Sequence, residues 1–264
     1  MNPFLLFPDR DFNPETTPGP QAEALIADLN LEIILSRMAG RDKVVYNTCK
    51  SVLLNPLQSP EDIRFRQINL GAALRKPALV RQLYEISIDT ERRRRGTWFW
   101  RTSANVSGFY IGTVKLLKVY GGMLAVLRQV ANTELESFGP SGFQDFLSLL
   151  RRELADTSFL TLLDELDQEG LLISATLGSH LQGVDYVLRQ KNPRGFWRRW
   201  RFAPSYTLLP RDDGGAIDLR LRRDRALNEA TNALAQACDH LESFFAGLRR
   251  ELAFYVGCLN LADC

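Results

Sequence analysis

The sequence predicts an elongated, mainly α-helical protein with a small antiparallel β-sheet and a long C-terminal helix. Apolar residues recur at intervals of three and four through most of residues 1–169, which predicts a body of several helices. Within residues 170–212 the pattern changes to that of strands. Over residues 213–264 the helical pattern returns and continues almost without interruption. The chain therefore divides into a helical body, a small sheet and one long helix.

Start and stop signals place the helices of the body. The first twenty residues are rich in proline and predict an extended lead-in. Gly40 is a candidate C-cap, Ser59 followed by proline is a helix start, and Gly121-Gly122 marks a candidate break. Helices are predicted over residues 21–39, 42–54, 59–76, 77–90, 106–136, 141–154 and 158–168.

The sheet is predicted at about residues 171–210. "LLISATLG" (171–178) and "VDYVLRQ" (184–190) have strand composition and are joined by a turn-prone segment. "SYTLLP" (205–210) predicts a third strand. The aspartates of the following "RDDGG" can cap the helix that comes next.

The last segment has the most regular apolar pattern in the chain. From Ala230 to Leu259 the apolar positions are spaced by three or four residues. A helix from Ala216 to Ala262, rising 1.5 Å per residue, would be roughly 70 Å long. That length exceeds the diameter of a compact domain of this size, so the segment predicts a strut.

The net charge of +2 conceals two basic runs that are rich in aromatic residues. "ERRRRGTWFWR" (91–101) has five arginines against one glutamate, a charge of +4. "RQKNPRGFWRRWRF" (189–202) has five arginines and one lysine without an acid, a charge of +6. The two runs together carry +10, which leaves −8 for the rest of the chain.

These basic runs are the candidate binding surface, and three interpretations fit them. Arginines can pair with phosphates while tryptophans stack on bases, as in DNA binding. The same composition suits an anionic membrane surface. The third possibility is a surface loop whose tryptophans pack on the core while its arginines stay in water. The candidate nucleic-acid-binding residues are Arg92, Arg93, Arg94, Arg95, Arg101, Arg194, Trp197, Arg198, Arg199, Trp200 and Arg201.

No catalytic or metal-binding motif is recognisable. The sequence has no GxxxxGK[ST] phosphate loop, GxGxxG, HExxH or GxSxG. Cys238 and His240 are two residues apart, so on a helix they do not face each other. We therefore expect no enzyme, no metal site and no cofactor in this chain. The unpaired cysteines and the lack of a signal or transmembrane segment predict a cytoplasmic protein.

Several stretches together resemble the MutS-like family of ATPases associated with DNA mismatch repair. They are "FPDRDFNP" (7–14), "LNPLQSPEDIRFRQ" (54–67), "LISATLGSHLQGVDYVLRQ" (172–190) and "ALNEATNALAQACDHLESFFAGLRRELAFYVGCLNLADC" (226–264). They are most similar to a compact bacterial branch that begins directly with the helical core. The Phe-x-Glu that reads mismatches in full-length relatives has no counterpart here.

The resemblance implies that residues 1–264 form a core and lever region that couples DNA contacts to a nucleotide-binding domain. An ATPase domain that uses ATP and Mg²⁺ and can dimerise is then expected after Cys264. The apolar residues Phe254, Tyr255, Leu259 and Leu261 are expected to be partly exposed, or covered by a second copy. The alternative is a stand-alone helical module that docks a partner or an anionic membrane through its Trp/Arg loops.

Overall fold

The computed structural model describes residues 2–14, 19, 21–101, 105–156, 158–166, 172–178, 183–189 and 212–264. Over these residues the chain forms nine helices and one two-stranded sheet, which confirms the predicted fold class. The helices are α1 (Ala22–Asp28), α2 (Leu31–Ala39), α3 (Lys43–Leu54), α4 (Pro60–Arg75), α5 (Pro77–Arg101), α6 (Val106–Glu134), α7 (Gly142–Glu153), α8 (Ser158–Leu166) and α9 (Asp213–Ala262).

Most of the predicted helix ends are confirmed. Asp42 caps α3 by accepting a hydrogen bond from the amide of Val44, and Ser59 caps α4. Gly40 ends α2 with a positive φ of 58°, a conformation that glycine adopts without steric cost. The Asp212 carboxylate accepts a hydrogen bond from the amide of Gly215 in the first turn of α9, as the "RDDGG" segment predicted.

Three predicted boundaries are wrong. The single helix over residues 21–39 is two helices, because Asn30 has a φ of 48° and interrupts the helical backbone. The helix that begins at Pro77 does not end near Thr90 but continues to Arg101. The glycine pair at 121–122 does not break α6. Neither glycine has a positive φ, and the rest of the helix supplies enough packing to tolerate both.

The sheet is a hairpin of β1 (Leu172–Leu177) and β2 (Gly183–Arg189), as predicted. The strands are antiparallel, and Leu172 pairs with Arg189 at the open end. The register shifts between Ser174 and Thr176. The predicted third strand at 205–210 lies outside the described residues.

The chain forms two compact units. Unit 1 comprises residues 1–95, 119–158 and 240–264, and unit 2 comprises residues 96–118 and 159–239. The helices α5, α6 and α9 therefore each contribute residues to both units.

The core of unit 1 is formed by the last part of α9 with α3, α6 and α7. Tyr255 of α9 is fully buried, and its ring meets Phe143 edge-on at a centroid distance of 5.1 Å. Phe245 of α9 stacks on Tyr120 of α6 at 5.8 Å. Gly257 allows α9 and α3 to approach closely, because a Cβ there would lie 2.4 Å from the sulfur of Cys49.

The described residues of the N-terminal lead-in, 2–14 and 19, form no helix or strand, as predicted, but residues 5–12 are held tightly in unit 1. Leu5 and Leu6 are fully buried. The amides of Leu5, Leu6 and Phe12 all donate to the carboxylate of Glu251 in α9, at 2.6, 2.7 and 2.9 Å. Tyr255 donates its hydroxyl hydrogen to the carbonyl of Leu5. Residues 5–12 are thus held on α9 by hydrogen bonds with the side chains of Glu251 and Tyr255.

The expectation that the end of α9 is exposed is wrong for three of the four residues. Phe254, Tyr255 and Leu259 are 7%, 0% and 3% exposed and lie within unit 1. Leu261 is 41% exposed. The core of unit 1 accounts for the burial, since the strap formed by residues 5–12 and helix α7 cover this part of α9.

Unit 2 has a smaller apolar cluster. Tyr110, Val114 and Leu227 are buried together and contact partly buried residues of α6, α8 and α9. Asp224 of α9 accepts hydrogen bonds from the amide and the hydroxyl of Ser107 at the start of α6, at 3.1 and 2.6 Å. These contacts join α6 and α9 within the unit.

One helix, α6, is long and apolar enough to cross a membrane by length and composition alone. However, 61% of its most apolar window is buried inside the protein. That burial is typical of a core helix.

Candidate nucleic-acid interface

The first basic run is part of α5 rather than a loop. Residues 92–95 follow Asp89 and Glu91, which place acids three and four positions before the arginines. Asp89 pairs with Arg92 at 2.6 Å, and Glu91 pairs with Arg95 at 2.9 Å. Pairs at this spacing stabilise a helix, which explains why α5 continues through four consecutive arginines.

Three of the four arginines point outward. The side chains of Arg92 and Arg95 are 72% and 75% exposed. Arg93 is also exposed, and no hydrogen bond or ion pair of its guanidinium is found within the described ranges. Since the guanidinium groups of Arg92 and Arg95 are exposed to solvent, their ion pairs are weak and can be exchanged for phosphate pairs. We call the side chains of Arg92, Arg93 and Arg95 the α5 basic face.

Arg94 points inward. Its side chain is only 18% exposed, and its guanidinium lies 2.9 Å from the Glu242 carboxylate of α9. It also binds both carboxylate oxygens of Glu91, at 2.8 and 2.9 Å. The hydrogen bond from Arg94 is the main reason why the pKa of Glu91 is below its usual value. The sequence grouped all four arginines together, whereas the structure separates Arg94 from its neighbours.

A cleft of about 280 Å³ lies beside this ion-pair network. Glu91, Arg94, Glu242 and Arg249 are among its lining residues. Arg249 pairs with Asp42 at 3.4 Å, and Tyr84 donates a hydrogen bond to the same carboxylate. Burial alone would raise the pKa of Asp42, but the bonds from Tyr84 and Val44 and the charge of Arg249 lower it overall. Glu91, Arg94, Glu242 and Arg249 are thus each paired with an opposite charge of unit 1.

The side chains of the remaining predicted residues are not among those that the structure describes. Arg101 is the last residue of α5, and only its backbone is described. The other predicted residues, Arg194, Trp197, Arg198, Arg199, Trp200 and Arg201, lie outside the described residues. Their role stays a prediction.

Sequence reasoning missed the acidic partner on α9. Glu242 lies within a helix whose dominant sequence pattern is its apolar stripe, and it is 148 residues from Arg94 in the chain. The sequence does show that Glu242 and Arg249 are charged residues next to Leu241 and Leu248 of the apolar stripe. Nothing local in the sequence indicates which helix they face.

The other candidate chemistry gains no support. No cluster of three or more His, Cys, Asp or Glu side chains suitable for a metal ion occurs among the described residues. Asp164, from the acidic end of α8, is 77% exposed and pairs with Lys118 at 3.2 Å. This is the geometry of a solvated helix end.

Comparison with known proteins identifies the family. A family model described as the MutS2 N-terminal domain matches residues 58–264, well over half of the chain. The chain belongs to this family. The resemblance seen in the sequence is thereby confirmed at the level of family membership, and α4 to α9 lie within the matched MutS2 N-terminal region. No curated protein and no solved structure matches the chain significantly.

Proposed function

We propose that this chain is the non-catalytic core and lever region of a MutS-like, DNA-processing ATPase. The observation that carries the proposal is α9, a single helix of 50 residues with residues in both compact units. At 1.5 Å per residue it is about 75 Å long. Membership of the MutS2 N-terminal domain family supports this assignment.

The continuity of the helices supports the proposed lever role. An unbroken helix can transmit a displacement at one end to the other, which couples the energetics of two sites. In this role α9 would let a nucleotide-binding domain influence how tightly the protein holds DNA. ATP and Mg²⁺ would bind in that domain, following Cys264, and the same domain could form a homodimer. The chain described here would hydrolyse nothing by itself.

The proposed DNA contacts are made to phosphates without sequence specificity. The α5 basic face presents three guanidinium groups to solvent at successive angles around one helix, which suits a phosphate backbone. The second run would add arginines and the stacking surfaces of Trp197 and Trp200. The protein would act in the cytoplasm in mismatch repair or another DNA transaction.

The test is DNA binding by the whole chain. We expect weak binding to duplex or branched DNA that falls steeply as salt rises. Replacing Arg92, Arg93 and Arg95 by Gln should weaken binding and reduce the slope of log K against log salt by about 0.9 for each lost contact. The matched control replaces three exposed arginines elsewhere in unit 1, Arg37, Arg41 and Arg64, by Gln, with the same change in net charge.

The results of these binding measurements distinguish DNA binding by the basic runs from a general effect of net charge and from membrane docking. Equal losses in the α5 variant and the control would show that only net charge matters. No binding at low salt, or binding unchanged by Arg198→Ala, Arg199→Ala and Arg201→Ala together with the α5 substitutions, would overturn the proposal. Sedimentation with vesicles of anionic lipid that depends on Trp197 and Trp200, without DNA retention, would instead favour a membrane-docking module.

A further inference from the structure

The helical geometry of α5 places Arg94 opposite the basic face. Successive residues of an α-helix are rotated by about 100° around its axis. When Arg94 faces α9, Arg92 lies about 160° away, and Arg93 and Arg95 lie about 100° to either side. The exposures agree, since the side chain of Arg94 is 18% exposed while those of Arg92 and Arg95 are above 70%. The rotational setting of α5 thus decides which arginines reach solvent.

Two polar ties fix α5 on α9 within unit 1. At one end of α5, Arg81 donates to the side chains of Asn260 and Asp263, each at 2.7 Å. Thirteen residues later, about 20 Å along the helix, Arg94 pairs with Glu242. The order of the partners shows that the two helices run antiparallel. The Arg81 tie is largely exposed, whereas the Arg94 tie is mostly shielded from solvent and therefore holds its geometry better.

Arg94 is poorly suited to bind phosphate itself. Its guanidinium would have to leave the carboxylates of Glu91 and Glu242, and these would then remain partly buried without their counter-charge. Breaking a shielded pair in this way is costly. The same contacts suit a different task, which is to prevent rotation of α5.

We infer that Arg94 is the positioning residue of the DNA-binding surface and acts through its ion pair with Glu242. This inference rests on the proposed function, because it assumes that the α5 basic face meets DNA. The Arg94–Glu242 pair fixes the rotation of α5 so that Arg92, Arg93 and Arg95 point outward together. DNA affinity then depends on an acid of α9 that does not touch DNA.

The variant Glu242→Gln distinguishes a positioning role of the Arg94–Glu242 pair from a simple effect of net charge on DNA affinity. Removing an acid makes the chain more positive, so electrostatics alone predicts tighter DNA binding. If the Arg94–Glu242 pair positions α5, the variant should instead bind DNA about five-fold more weakly. The slope of log K against log salt should not change, because all phosphate contacts remain. The matched control is Glu229→Gln, an exposed acid of α9 with the same charge change, which should bind as well as the parent or slightly better. Tighter binding by both variants would overturn the inference.

A second measurement tests, in the absence of DNA, whether the Arg94–Glu242 pair holds α5 in place. A nitroxide is attached at Arg93→Cys in the full chain, with the exposed Cys264 and the partly exposed Cys258 replaced by Ser so that only buried native cysteines remain beside the labelling site. We expect Glu242→Gln to increase the mobility of the label in its electron paramagnetic resonance spectrum, and Glu229→Gln to leave it unchanged. An unchanged spectrum in Glu242→Gln overturns the inference whether or not DNA binds.

The two measurements distinguish failure of the proposed function from failure of the inference about Arg94. If the parent chain binds no DNA but Glu242→Gln mobilises the label, the proposed function fails while the tie that fixes α5 is upheld. If the parent chain binds DNA but Glu242→Gln neither weakens binding nor mobilises the label, the inference fails while the proposed function stands.

Discussion

Two segments of α9 show opposite environments although each contains at least four apolar residues. Every residue from 216 to 223, "AIDLRLRR", is exposed, including Leu219 at 55%. Every residue from 251 to 257, "ELAFYVG", is buried, including the charged Glu251 at 2%. Burial along one continuous helix is therefore set by the elements that other parts of the chain bring to it. Apolar composition alone does not decide it.

The burial of Glu251 shows how the partner elements act. Placing a carboxylate in a core is unfavourable unless its oxygens find donors. Here both oxygens accept backbone amides of the N-terminal strap, from Leu5, Leu6 and Phe12. Burial raises the pKa of Glu251, and these three bonds oppose the rise without cancelling it. These contacts give the amides of residues 5–12 an acceptor and cover Glu251, so each element stabilises the other.

The largest effect is expected from removing this carboxylate. Glu251→Ala leaves two buried amides and one partly buried amide without an acceptor and should lower the free energy of unfolding by about 3–5 kcal/mol. Glu229→Ala, at an exposed position of the same helix, should change it by less than about 0.5 kcal/mol. Urea unfolding of both variants measures the difference. Equal stability of the two would mean that the strap is not held by Glu251.

A smaller effect is expected where α9 approaches α3. Gly257→Ala places a methyl group 2.4 Å from the Cys49 sulfur and 3.2 Å from Val45, so one helix must shift. We expect a loss of about 1–3 kcal/mol in the free energy of unfolding. Gly214→Ala, near the start of α9, meets only Asp212 at 3.8 Å and should be neutral or slightly stabilising. A stabilising effect at both glycines, seen in thermal unfolding, would contradict the close approach of α9 and α3.

The sequence predicted elements well where the determinants are local. Ser59 with Pro60, Asp42 and Gly40 are cap signals that act on their own helix, and each is found where it was predicted. The break at Asn30 was missed because apolar spacing continues across it. The continuation of α5 past Thr90 was missed because the arginine run suggested a loop, although Asp89 and Glu91 stabilise the helix there.

The candidate site was predictable only in part. The four arginines were found by composition, but the inward turn of Arg94 depends on Glu242, which the fold brings to it from α9. The docking of the strap on Glu251 joins residues about 245 positions apart. Such long-range partners leave no periodic signal in a single sequence, so the pattern could not assign them.

The smallest effect concerns the pH dependence of the buried part of α9. The pKa of Asp42 is lowered in the folded protein by Tyr84, Val44 and Arg249 of α9. A lowered folded-state pKa adds stability that is present above the unfolded pKa of about 4 and is lost as the pH falls through the folded value. Asp42→Asn should therefore flatten the fall of unfolding free energy between about pH 5 and pH 2, measured by urea unfolding at each pH.

The matched control lies in the exposed part of the same helix. Asp218 pairs with Arg222 at 2.8 Å, but both side chains are more than half exposed. Solvent screens this pair, so Asp218→Asn should change the free energy of unfolding at neutral pH by less than about 0.5 kcal/mol, whereas Asp42→Asn should lower it more. If the two variants lose equal free energy of unfolding, the burial of Arg249 and Asp42 does not distinguish the two parts of α9. If only Asp42→Asn lowers it, a charge on α9 contributes to stability where other elements of unit 1 shield it from water.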